Sequence, residues 1–175
     1  DADDNVYKIE EFTFSYNDLA NIVIDEDGEA VDEDRFALSL DIKRGDDHRK
    51  VIEMINAVND QSRTFESVLD QYIDADNVLT WVTVNFLLHQ VDAVTHNFYL
   101  YNPLGTEKFF YMPWDYDGAF GVEQDPANSY ETSEQLRRLY YGYGKGLASN
   151  FLNRYYRMSG IQQQVLYKAA ELRNS

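Results

Sequence analysis

Two short β-forming stretches, Phe98–Tyr101 and Lys108–Met112, stand on either side of the turn sequence Asn102-Pro103-Leu104-Gly105. Aromatic residues suit a pleated backbone, and Asn, Pro and Gly each favour a reversal of direction. The pattern predicts a β-hairpin. A hairpin constrains what surrounds it: one face must find a core to pack on, and its two open ends must lie side by side. One open end begins at Asn97. The other runs into Pro113-Trp114-Asp115-Tyr116-Asp117-Gly118-Ala119-Phe120-Gly121. Groups far apart in the chain are therefore expected at one place.

The residues before the hairpin read as helices. Asp46 or Asp47 can cap a first helix with Val51, Ile52, Ile55 and Val58 on its apolar face. Ser62 can cap a second, with Glu66 in its first turn and Phe65, Val68, Leu69 and Tyr72 facing inward. Asp74 or Asp76 caps a third. It carries Val78, Leu79, Trp81, Val82, Phe86, Leu87 and Leu88 on nearly all sides, which predicts a buried central helix. Two further helices are expected near the end, lined by Leu147, Phe151, Tyr155 and Met158, and by Ile161, Val165, Ala169 and Leu172. Residues 122–146 read as a Tyr- and Gly-rich loop. Residues 1–47 read as strands and loops, with strands over Val6–Phe14 and, from alternating Phe36, Leu38, Leu40 and Ile42, over Arg35–Lys43. The class is α+β: a mainly helical body over 48–175 with a small hairpin, preceded by an acidic β/loop segment over 1–47.

Charge narrows the partners. The net charge is −16, and residues 1–47 hold 16 acids against 4 bases. Phosphate backbones and anionic membranes are bound through basic surfaces, so nucleic acid and membrane surfaces are not expected partners. The acidic segment itself is expected to be solvated and partly mobile. The longest uncharged run, Asn77–Val91, is too short and too polar for a membrane span. With no cysteine, a thiolate nucleophile, a disulfide framework and a cysteine zinc site are excluded. Asp25-Glu26-Asp27-Gly28-Glu29 loosely suggests a calcium loop. Its Gly falls at the fourth position and Phe36 at the twelfth, so a surface turn is expected. No initiator Met and no signal peptide open the chain, which reads as part of a longer protein.

The open ends of the hairpin carry the chemistry. Asp92 and Asn97 are spaced D-x-x-x-x-N, and Asp115 and Asp117 follow the second strand. Protein kinases use this order: a catalytic Asp, a metal-holding Asn five residues on, two strands, then a metal-binding Asp. Phosphoryl transfer requires a hard cation on the phosphates and a carboxylate for the hydroxyl proton, and Asp and Asn supply the oxygens. Asp92 is the candidate base, Asn97 and Asp115 are candidate metal ligands, and Asp117 is a further ligand or a supporting group. His96, beside Asn97, is placed to touch phosphate or to position the loop. His48 is expected on the surface at a helix start, His89 as a polar position on the central helix, and Trp114 packed under the metal loop in preference to stacking on a base. Gly142, Gly144 and Gly146 do not fit a phosphate-loop spacing and read as a turn. Lys8, Lys43 and Lys50 precede Asp92, and none stands out as a nucleotide-gripping lysine.

On three stretches the chain resembles the spore coat protein H (CotH) kinase-like family. They are Asp76–Leu88, then Asp92 with His96-Asn97-Phe98-Tyr99-Leu100-Tyr101, then Phe109–Gly121, most clearly within residues 50–121. The resemblance implies an atypical protein-kinase fold, with ATP and Mg²⁺ (or Mn²⁺) as cofactors. It further implies Ser or Thr of Ser-rich secreted, spore coat or surface proteins as acceptors, and a spore coat, cell-surface or extracellular location. It makes Asp92 the catalytic Asp and Asp115 the metal Asp, with Asp117 the alternative in the same turn. Only 91 residues precede Asp92, so the nucleotide-binding N-lobe is expected to be partial or missing and ATP binding to be weak or absent. The competing reading is a noncatalytic surface or adhesion module that keeps the fold.

Overall fold

The computed structural model describes residues 4–88, 90, 92–117, 119 and 149–174; of Asp92 it describes the backbone. The architecture is α+β. Four strands form one antiparallel sheet: β1 (Asn5–Ile9), β2 (Leu40–Arg44), β3 (Phe98–Asn102) and β4 (Phe110–Pro113), in the order β2-β1-β3-β4. The helices are α1 (Glu33–Phe36), α2 (Arg49–Asn59), α3 (Phe65–Tyr72), α4 (Ala75–Leu87), α5 (Asn150–Tyr155) and α6 (Ile161–Asn174). Among the described residues no helix is long and apolar enough to cross a membrane.

The expected hairpin is β3–β4. Phe98 pairs with Pro113 and Tyr101 with Phe110, and Gly105 takes the left-handed conformation that the turn requires. Burial alternates along β1 and β3, so Tyr7, Ile9, Phe98 and Leu100 point to one side and join Tyr111 in the core. Trp81 of α4 packs on Phe98 and Tyr111 at ring separations of 5.2 and 4.7 Å. Phe14 and Phe151 complete this aromatic centre. The Asn77 side chain ties α4 to β4 in both directions: Nδ2 donates to the Tyr111 carbonyl and Oδ1 accepts from the Tyr111 N–H. These bonds fix how the hairpin sits on the helix that precedes it.

The helix starts follow the capping rule, with some differences of residue. Asp74 caps α4 and accepts from the Asn77 N–H, as one of the two expected alternatives. Thr64, not Ser62, caps α3, which buries the expected Phe65, Val68, Leu69 and Tyr72. His48 occupies the cap position of α2 without a side-chain cap bond, while Asp47 accepts from the Arg49 N–H. Arg154 of α5 donates to the carbonyls of Ala57, Val58, Asp60 and Arg63, satisfying the C-terminal end of α2. The α4 helix is buried along Val78, Trp81 and Val82, but Leu87 at its end is 54% exposed.

Three expectations are corrected. The Arg35–Lys43 strand is instead a helical turn followed by a strand. Asp32 accepts from the Arg35 N–H and starts α1, which tucks Phe36 into the core and leaves Leu38 exposed before β2 begins at Leu40. The acidic segment is not a solvated appendage. It supplies β1 and β2, with β1 paired on both edges, and buries Phe12, Phe14, Ile22, Phe36 and Leu40. Most of its charges face outward, while its two buried acids, Asp4 and Asp18, accept several hydrogen bonds. His48 is 2% exposed, with Nδ1 2.9 Å from the Tyr7 hydroxyl and the rings of Tyr7 and Phe36 against it. Burial lowers its pKa. The expectations for His89, Leu147, residues 122–146 and Gly142, Gly144 and Gly146 lie outside the described residues.

Candidate functional site

The open end of the β3–β4 hairpin is built from both sides of the sequence. After α4, a 3₁₀ turn spans Asp92–Val94 and leads through Thr95 and His96 to Asn97, immediately before β3. On the other side β4 ends at Pro113, opposite Phe98. The Trp114 N–H then donates to the Asn97 carbonyl at 3.1 Å. Asn97 and the start of the Trp114–Asp117 turn are thus adjacent, as the hairpin topology requires. The approach to Asn97 is anchored too, because the Phe12 N–H donates to the Thr95 carbonyl at 3.0 Å.

Asn97 and Asp115 share an uncommon backbone state. Their φ values are +60° and +55°, in the left-handed region, which side chains other than Gly enter at a cost. Asn and Asp tolerate it better than most, and such outliers cluster at functional sites. Asp115 and Asp117 are exposed, and Asn97 and His96 are half-buried. His96 Nδ1 lies 2.7 Å from the Thr95 hydroxyl. The oxygens offered here are carboxylate and carboxamide, the hard donors that Mg²⁺ prefers. Among the described residues, no group of three or more His, Cys, Asp or Glu side chains is arranged to hold a metal ion.

Trp114 departs from the expectation that it packs beneath this turn. It is 47% exposed and lies edge-on to Tyr99 at 5.6 Å, on the sheet face away from the core. The ammonium of Lys8 is 5.7 Å from the Trp114 ring and also pairs with Glu10. Lys8 is therefore the lysine nearest the open end among the three that precede Asp92, a context that follows from β1 pairing with β3 and is invisible in the local sequence.

Two polar residues near the end of α4 hold the acidic turn from beneath. The Gln90 Nε2 donates to the Asp115 carbonyl at 3.1 Å, and the Gln90 N–H donates to the Asn85 carbonyl at 2.9 Å. The Tyr116 hydroxyl donates to Asn85 Oδ1. Asn85 and Gln90 are 1% and 0% exposed. Burial raises the Tyr116 pKa to about 12. In the sequence both amides are only polar members of the uncharged run Asn77–Val91. The available signal was that buried amides must find partners.

A family model described as CotH kinase protein matches residues 1–169. That range takes in the acidic N-terminal segment as well as the region 50–121 where the resemblance was clearest. The chain is also 28% identical over 111 residues to the inner spore coat protein H of Bacillus subtilis (strain 168). That match covers 62% of this chain and 31% of the relative, so the matched stretch spans less than a third of that protein's length. With a model matched along nearly its whole length, the chain belongs to the CotH kinase protein family.

Proposed function

We propose that this chain carries the base and metal-binding half of an ATP-dependent protein kinase acting on Ser or Thr, arranged as the mainly helical C-lobe of an atypical kinase-like fold. The observation that supports it most is the hydrogen bond from Trp114 to Asn97, which sets two left-handed, oxygen-bearing residues at one end of one hairpin. In this reading Asp92 accepts the proton of the acceptor hydroxyl. Asn97 and Asp115 are the metal ligands, Asp117 is a second carboxylate in the same turn, and His96 faces the phosphates. Mg²⁺, or Mn²⁺ in its place, would neutralise charge on the β- and γ-phosphates of ATP. The exposed turn leaves room for a protein acceptor, for which a Ser-rich coat or surface protein is the proposed class. The spore coat name of the Bacillus relative supports a coat or cell-surface location. The acidic balance supports a partner other than nucleic acid.

A noncatalytic surface or adhesion module is the competing reading, favoured by the net charge of −16, which opposes a polyanionic nucleotide. One experiment separates the two. Melting of the full-length protein is followed with ATP and Mg²⁺, and a separate unheated sample is incubated with labelled ATP and a Ser-rich acceptor. A raised melting temperature with label transfer is expected. Neither shift nor transfer, with Mg²⁺ or Mn²⁺, would overturn the kinase reading in favour of the module.

A further inference from the structure

We propose that Asn85, on the last turn of α4, and Gln90, just beyond that helix, are positioning residues that hold the Trp114–Asp117 turn so that the Asp115 carboxylate is presented to a divalent cation. The inference rests on the metal reading above and goes further by assigning the support of that site. Left-handed backbone at a non-glycine residue persists only where surrounding bonds over-determine it. At Asp115 those bonds are visible. Its carbonyl accepts from the Gln90 side chain at 3.1 Å, and the next residue, Tyr116, is held through its hydroxyl by Asn85. The residue before it, Trp114, donates to Asn97. Three consecutive residues are thus bonded to Asn85 on α4, to Gln90 just after it and to Asn97 just before β3.

The support is itself rigid. The Gln90 N–H bonds the Asn85 carbonyl at 2.9 Å, which ties the Gln90 backbone to the last turn of α4. That helix is clamped to β4 through Asn77 and Tyr111. Both amides are buried, where a directed hydrogen bond is less diluted by water. Neither residue need touch the cation. Their effect is on the orientation of a ligand-bearing turn, the role that outer partners play around metal sites generally.

The test uses two variants that keep shape and remove one bond each: Gln90→Met and Tyr116→Phe. Mn²⁺ affinity is read by electron paramagnetic resonance, with and without ATP, beside Asp115→Asn as the ligand control. Melting temperature and hydrogen exchange of the amides of residues 114–117 are followed in parallel. The expected result is about tenfold weaker Mn²⁺ binding in Gln90→Met, with a smaller loss in Tyr116→Phe. Turn amides exchange faster in both, while the melting temperature stays within about 3 °C of wild type. A Gln90→Met variant that binds Mn²⁺ as wild type does, while Asp115→Asn loses it, overturns the positioning role and leaves the metal reading intact. Wild-type protein without Asp115-dependent Mn²⁺ binding overturns both.

Discussion

The two ends of the β3–β4 hairpin are made from similar residues and put to different use. At the turn end, polar groups hold the backbone. Asn102 Nδ2 donates to the carbonyls of Thr106 and Lys108, and Lys50 donates to Thr106. Asp4 reaches across from the chain start, accepting from the Leu104 N–H at 2.8 Å and from the Tyr101 hydroxyl at 3.0 Å. The single left-handed residue there is Gly105, where that state is nearly free of strain. At the open end the left-handed residues are Asn97 and Asp115, and Asp115 and Asp117 are exposed residues. The turn end uses Asp and Asn to close a loop. The open end carries them in strained backbone supported from α4. That contrast separates a buried acid that closes a loop from an exposed acid in strained backbone, at opposite ends of one hairpin.

The largest effect expected from this contrast is on rate. Asp92→Ala in the full-length protein should lower phosphotransfer by roughly 10²–10⁴-fold with no change in melting temperature, as loss of a positioned base does. Turnover near wild type would place the base elsewhere. At the turn end the same kind of deletion should act on stability alone. Asn102→Ala removes the side-chain donor of the Lys108 carbonyl and leaves the Thr106 carbonyl to Lys50 alone, and should cost about 1–3 kcal/mol in denaturant unfolding, with catalysis unchanged.

Backbone substitutions should have opposite signs at the two ends. Gly105→Ala meets no neighbouring atom within 4 Å, so its penalty is conformational, about 1 kcal/mol of destabilisation. Asn97→Gly should relieve strain and leave stability unchanged or raised by up to about 1 kcal/mol, while weakening divalent-cation binding. A clear loss of stability in Asn97→Gly would show that the open end is a structural turn like its counterpart.

How much of this could be read in advance depended on how local its causes were. The hairpin, the buried face of α3 and the Asp74 cap follow from turn chemistry and periodicity within a few residues, and all are present. The alternation over Arg35–Lys43 misled because Asp32 caps a helical turn just upstream and shifts the strand to Leu40. The burial of His48 depends on Tyr7, 41 residues away, and no local pattern carries that contact. The acidic N-terminal segment looked solvated by its charge. Its strand β1 pairs with β3 over a separation that composition does not report. At the site, hairpin topology predicted that Asn97 would meet the Asp115 turn. The support from Asn85 and Gln90 did not emerge, because amides inside an apolar run say only that partners exist, not which ones.

The smallest expected effect concerns pH. The Leu104 N–H, helped by the Tyr101 hydroxyl, lowers the Asp4 pKa to about 2. A carboxyl held low when folded binds its proton more readily in the unfolded chain, whose value is about 3.9. Its contribution is therefore complete above pH ~4 and is lost as pH falls toward 2. Asp4→Asn should be less stable at neutral pH and should flatten the stability profile between those limits. An unchanged profile would remove Asp4 from the turn-end clamp.

The central claim is that Asn97 and Asp115 serve one cation while the opposite end of the hairpin does not. Paramagnetic broadening of backbone amide resonances during Mn²⁺ titration, with and without ATP, tests it most directly. The account predicts that Asn97 and Asp115 broaden together at the lowest Mn²⁺ concentrations, ahead of Asn102–Thr106 and of the acidic Asp25–Glu29 turn. First broadening at Asp25–Glu29, or at Asp115 without Asn97, would contradict it.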